Sequence, residues 1–304
     1  MLFNILIKQI MVMTLLTALG FVLSKKQMLS EQSTKELGTI LLRFVIPCII
    51  IKSCITEFTP EKSRALAVSF VITAGAFLIS HLIAYAVCGT RRRLDNFAAA
   101  SCNAGFIGIP LVQAVFGDAG VFYAIASVAV VNILQWTYGV YIITGRKEMI
   151  SPGTIIRNPV VIATVLGLLI FYLRIPVPEV VTTTLGYVGG INTPVAMILL
   201  GTYMAKLGAG DLLNPNAILP VALRLVVIPA ATLLFLKHVP GSADIKMAVL
   251  LMAVTPVPTG LCVYAQQYDQ DYGYCVIPVC LSTILSVFTV PAVFSIAERL
   301  LGTI

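Results

Sequence analysis

Ten apolar stretches of this sequence are candidate bilayer-crossing helices, and little chain lies between them. A helix needs about 20 apolar residues to span the hydrocarbon core. The stretches run from about 5–23, 37–55, 64–88, 95–116, 120–144, 158–173, 181–205, 216–236, 244–267 and 272–301, called segments 1 to 10 below. Backbone polar groups cannot be left open in lipid, so apolar runs of this length read as helices. Charged residues make up 11% of the 304 residues, against about 25% in a soluble domain. Mean hydropathy is +0.98. The fold class expected is an all-α integral membrane protein with ten transmembrane helices.

The net charge of +7 does not point to nucleic acid, because the basic residues sit mostly at segment ends, where they act as topology signals. Connections 1–2, 3–4 and 5–6 carry Lys25, Lys26 and Lys35, then Arg91, Arg92 and Arg93, then Arg146, Lys147 and Arg157. Connection 4–5 has only Asp118. The positive-inside rule places the basic connections in the cytoplasm and both termini on the non-cytoplasmic side. Segment 1 lacks a small-x-small cleavage site and is followed by Lys25 and Lys26, so it reads as a retained helix rather than a signal peptide. The seven cysteines have no paired spacing. They read as small buried hydrophobes, without a disulfide framework or metal site.

Segment 4 carries a soft stretch, Cys102-Asn103-Ala104-Gly105-Phe106-Ile107-Gly108-Ile109-Pro110. Loosened backbone at membrane depth is tolerated only in protein or beside a watery cavity, and in secondary transporters it marks the binding site. An offset of 153 residues carries Asp118 onto Asp271, Gln113 onto Gln266 and Asn103 onto Pro256. The partner stretch is then Thr255-Pro256-Val257-Pro258-Thr259-Gly260 in segment 9. A nearby offset of 155 pairs Thr59-Pro60 with Asn214-Pro215. The chain therefore divides into two repeats, 1–150 and 151–304, of five segments each. Five is odd, so the second repeat starts on the opposite face and the two are inverted, with segments 4 and 9 as broken crossover helices.

The polar inventory inside the segments is short. Asn103 lies at the first break, Asn132 midway along segment 5, and Thr255 and Thr259 flank the second break. Ala104, Gly105, Pro256 and Val257 complete the candidate substrate-binding set by supplying backbone at the two breaks. Gln113, Gln266 and Gln267 follow the breaks and form a candidate coupling or ion site. Broken helices leave N–H groups open, and half-helix N-termini suit an anion such as a carboxylate. No Asp or Glu falls at the centre of a segment, so a carboxylate proton relay has no candidate, and coupling to sodium or protons stays open. No other cofactor and no metal is expected. Arg43 and Arg224 are expected to snorkel toward the surface. His81 reads as a packing residue, and Gly186-x-x-x-Gly190 as a close helix contact. Gly208-Ala209-Gly210-Asp211 and Tyr268-Asp269 match short motifs of intramembrane aspartyl proteases. Both aspartates lie at segment ends, and a shared proton needs them together at the midplane.

With these residues in place, the chain resembles the auxin efflux carrier family. The match runs through Asn103 to Gly117 with Gly108-Ile109-Pro110, Arg157-Asn158-Pro159, Arg224 with Pro229, Pro256, and the run Val263 to Tyr268. The resemblance implies the fold of the bile acid sodium symporters, with two inverted five-helix repeats crossing at helices 4 and 9. It implies a scaffold of helices 1, 2, 6 and 7 and a transport unit of helices 3–5 and 8–10, moving elevator-fashion in a homodimer. By position, Asn103 looks like the crossover asparagine that meets a substrate carboxylate, Pro256 like the helix 9 crossover proline, and Asn132 falls beside a polar position near the site. Cys102 stands where the plant carriers have a proline, and Gln266-Gln267 where they have a Lys-Glu pair. The expected function is secondary transport of a small organic anion, of the carboxylate or dicarboxylate class, across the cell membrane. A non-transporting receptor on the same fold is the alternative, and enzyme chemistry is not expected.

Overall fold

The computed structural model describes residues 2–208 and 210–302, with the side chains of Thr154 and Leu213 left aside. Ala209, the second residue of the protease-like motif, and the last two residues of the second repeat lie outside the described residues. The described chain is helical throughout, with no strand. The main helices are α1 Leu2–Lys25, α2 Glu31–Cys54, α3 Pro60–Cys88, α4 Arg93–Ala100, α5 Ile109–Leu134 and α6 Val140–Thr144. They continue as α7 Pro159–Leu173, α8 Glu179–Met204, α9 Pro215–His238, α10 Ala243–Ala253, α11 Gly260–Gln267 and α12 Tyr272–Leu301.

Among the described residues, seven helices are long and apolar enough to cross a membrane, against the ten expected. The difference has three local causes. Residues Arg93–Thr144 form one near-continuous helical stretch of 52 residues, about 78 Å at helical rise and so more than two bilayer cores. Gly117 divides it, with φ 63° and ψ −160°, a conformation open to glycine at little steric cost. The expected segment 9 is split between α10 and α11, and α7 has 15 residues.

Helix starts follow the sequence closely. Thr59, Asn158 and Asn214 each accept a backbone N–H from the first turn, and each is followed by a proline at the first helical position. Proline has no N–H to lose there and its φ suits a helix. The two sites paired by the 155-residue offset thus take the same local form.

The helices pack in two sets. In one, α1 lies along Asn192–Met204 of α8, and the second half of α2 lies against α7. The first contact is backbone on backbone: a Cβ on Gly20 would stand 2.2 Å from the Ile198 carbonyl oxygen, and one on Gly201 would stand 2.1 Å from that of Thr17. Gly186 and Gly190 play no such part, since a Cβ on Gly190 would meet nothing within 4 Å. In the other set, α10 packs on α5 and α3, and α3 on α5. The crossover lies in this second set, with α5 touching both.

Candidate functional site

Both soft stretches are true breaks. Residues 101–103 leave the helix, with Ser101 extended at φ −98°, ψ 154° and Asn103 at φ −88°, ψ 58°. No proline is needed at Cys102. The wide turn Ala104–Gly108 then restarts the helix, and Asn103 C=O accepts from both Ile107 and Gly108. Residues 255–259 interrupt the chain between α10 and α11. The two breaks touch: the Asn103 N–H donates to Pro256 C=O at 3.0 Å. Residues 153 apart in sequence are thereby hydrogen-bonded at the core of the molecule.

The crossing is tightly filled. Asn103, Thr255, Val257 and Thr259 are all buried. A Cβ on Gly108 would stand 2.7 Å from Met252 Sδ, and one on Gly105 would stand 2.7 Å from Ile46 Cδ1. The glycines of the soft stretch therefore serve close approach. Thr255 Oγ1 turns back to Met252 C=O at 2.9 Å. Asn103 Nδ2 is buried without a hydrogen-bond partner among the described residues. An open buried amide donor is uncommon in a native fold and calls for an explanation. It stands beside the first turn of a half-helix whose leading N–H groups have no intrahelical acceptor. Together they form a donor-rich corner suited to an anion.

Three polar residues absent from the sequence-based set complete the corner. Gln135 Nε2 reaches Cys102 C=O at 3.5 Å, and its Oε1 faces Gly260 at the start of α11. Ser282 Oγ accepts from the Val257 N–H at 3.0 Å and fixes the second break. Asn192 Nδ2 donates to Gly105 C=O at 3.2 Å, while its Oδ1 has no partner among the described residues. Gln135 sits on a wide turn of the α5–α6 stretch, Gln135–Gly139, and Asn192 follows the kink of α8 at Ile191. Both irregularities are visible only in the fold, so the sequence carried no signal for these residues.

Other expected residues fall elsewhere. Asn132 spends its amide on Val128 C=O of its own helix, at 2.9 Å. Gln113, Gln266 and Gln267 are exposed, and Gln113 pairs with Asp118 at 3.3 Å. None of the three reaches the crossing. His81 bonds Phe77 C=O and packs edge-on against Tyr138, while its buried Nε2 has no partner among the described residues. Asp211 and Asp269 are both exposed in connections, away from the buried crossing.

Arg224 does not snorkel. It is fully buried. Nη1 donates to Ser80 Oγ and Ala99 C=O at 3.3 Å and to Ala100 C=O at 3.4 Å, and Nη2 donates to Ala253 C=O. Its targets are the last carbonyls of α4 and α10. Arg43, in contrast, is exposed as expected.

A mostly apolar cavity of about 340 Å³ lies beside the crossing, lined by Met13, Thr17, Ile107, Leu111, Met197 and Ser286 among others. Its size suits a small organic molecule. No candidate substrate residue lines it, and Asn103 with its amide is buried, so the corner is closed in this conformation.

Two half-helices meeting at broken, hydrogen-bonded ends inside a bundle of apolar helices is an arrangement found in secondary transporters. Residues 5–294 match the family described as "Membrane transport protein". The chain belongs to this family, the auxin efflux carrier-like permeases. An uncharacterized transporter of Methanothermobacter thermautotrophicus (strain Delta H) is 26% identical over 290 residues, covering 91% of this permease and 93% of the relative. The family is one of membrane transport proteins, and with its apolar helices this chain is a multi-pass membrane protein.

Proposed function

We propose that this permease is a secondary transporter of a small organic anion, of the carboxylate or dicarboxylate class, working by elevator-type alternating access. The observation that carries the reading is the hydrogen-bonded crossing of the two breaks with the unpartnered Asn103 Nδ2 beside it. Asn103 and the N–H groups of Ala104 and Gly105 hold the carboxylate, with Thr255, Pro256, Val257 and Thr259 forming the opposite wall. Gln135 takes the role first given to Asn132. Gln113, Gln266 and Gln267 act at the solvent ends of the half-helices, where ions pass, rather than at the substrate.

In this reading the ten segments form two inverted repeats, 1–150 and 151–304. Segments 1, 2, 6 and 7 make the scaffold, and 3–5 and 8–10 the moving unit. The protein is a homodimer in the cell membrane with both termini on the non-cytoplasmic face. Closure of the corner in this conformation supports the mechanism, because substrate entry then needs relative movement of the two helix sets. Reconstituted protein is expected to take up labelled malate or malonate into proteoliposomes, and Asn103→Ala and Pro256→Ala to lower uptake at least about tenfold. Carboxylate binding without flux under any sodium, proton or voltage gradient would overturn this in favour of a receptor.

A further inference from the structure

Each broken helix leaves carbonyls open at the end of its first half, and such C-terminal ends carry partial negative charge. In secondary transporters the unwound carbonyls and half-helix C-termini are where coupling cations bind. Here both C-terminal ends, that of α4 at Ala99 and Ala100 and that of α10 at Ala253, converge on one guanidinium. Ser80 joins them, donating to Ala100 C=O at 2.7 Å while accepting from Arg224. Arg224 is fully buried and takes part in no salt bridge among the described residues. Its charge is therefore balanced by two helix ends and not by a carboxylate. Nε has no partner among the described residues, so the two terminal nitrogens carry the whole contact.

We propose that Arg224 is a built-in counter-cation of the crossover. It occupies the carbonyls that a coupling cation would need, clamps α4 to α10, and makes the crossing independent of sodium. The planar fork matters as much as the charge, because one guanidinium spans two helix ends while an ammonium is a point charge. Arg224 sits in the wide turn Leu223–Val227, where Ile228 N–H bonds Leu223 C=O ahead of Pro229. The clamp stands on this geometry alone. The sodium-independence of transport deepens the transporter reading and rests on it.

The test is thermal unfolding of the purified full chain in detergent, in sodium, potassium and choline chloride at equal ionic strength. Wild type is expected to have the same Tm in all three. Arg224→Ala is expected to unfold about 10 °C lower, the loss typical of an emptied buried charge site. Millimolar guanidinium, and not sodium, is expected to recover part of that loss. Arg224→Lys, which keeps the charge, is expected to be more stable than Arg224→Met, which keeps the volume. A sodium-specific rise in the wild-type Tm, or a Met variant as stable as the Lys variant, overturns the proposal. If the Ala variant does not accumulate, the Lys–Met comparison and the wild-type salt series still decide it. In proteoliposomes, malate uptake is expected to be unchanged when choline replaces sodium. A sodium-driven flux would overturn the proposal, whereas absence of any flux would strike the transporter reading and leave the Tm series to judge the clamp.

Discussion

Asn103 has two separable roles, one on its backbone and one on its side chain. The backbone N–H ties the two breaks together through Pro256 C=O, whereas Nδ2 has no partner among the described residues. Truncating the side chain therefore removes no internal hydrogen bond. Asn103→Ala is expected to lower carboxylate uptake about 10- to 100-fold, the loss of one hydrogen bond to a charged group, with Tm nearly unchanged. A large fall in Tm would show that the amide serves the fold instead. Ser282 is the converse case. Ser282→Ala would leave the buried Val257 N–H without its acceptor, which costs about 1–3 kcal/mol. Tm is expected to drop by several degrees, and the measurement is a melting curve in detergent.

At the scale of the helix, one device recurs. The wide turns Leu41–Val45, Ala104–Gly108 and Leu223–Val227 each run directly into an Ile-Pro pair, at 46–47, 109–110 and 228–229. In each, the isoleucine N–H bonds the carbonyl five residues back. Proline has no N–H and its ring crowds the carbonyl four residues earlier, so widening the turn relieves the clash. One added residue rotates the rest of the helix by about 100°, which re-aims the side chains before the proline. Pro229→Ala offers a clean check. Alanine is the better helix former by about 3 kcal/mol, yet Tm is expected to fall, because closing the turn swings Arg224 away from its carbonyls. A rise in Tm would show that the turn does not depend on the proline.

For the molecule as a whole, the α1–α8 seam and the crossing differ in kind. The seam is held by backbone contact at Gly20 and Gly201, with no room for a side chain. Gly201→Leu is expected to cost roughly 3 kcal/mol or more, read as loss of folded protein on size-exclusion. Between the two helix sets, apolar packing such as Phe122 on Phe171, at 5.0 Å between ring centroids, runs beside polar links. Lys52 of α2 meets Asp118, beside the Gly117 turn, at 3.6 Å, and Asn192 meets Gly105. Exposed ion pairs contribute little, about 0–1 kcal/mol, and the proposed elevator movement has to part both links. A Lys52→Cys and Asp118→Cys pair, bridged by a short reducible crosslinker, is expected to stop uptake, and reduction to restore it. Uptake that persists through the crosslink would exclude the elevator movement.

Membrane residence, helix starts and the positions of both breaks were legible in the sequence because each depends on local chemistry. Apolar length decides what can enter lipid, Thr-Pro and Asn-Pro pairs decide where a helix begins, and glycine with proline decides where it yields. The 153-residue offset even paired the two stretches that touch. The partners of the crossing were not legible. Asn132 and Gln135 are three residues apart in one apolar segment, and only the wide turn at 135–139 and the packing around it decide which one faces the break. Arg43 and Arg224 each follow a leucine ahead of an Ile-Pro pair, Arg43 four residues before its proline and Arg224 five. One lies in the open and the other inside, because burial of a charge depends on whether distant carbonyls converge to receive it. Those of Ala99, Ala100 and Ala253 do so only once two helices have broken and crossed. Local sequence determined where the chain would break, and the tertiary fold alone decided what the broken ends would hold.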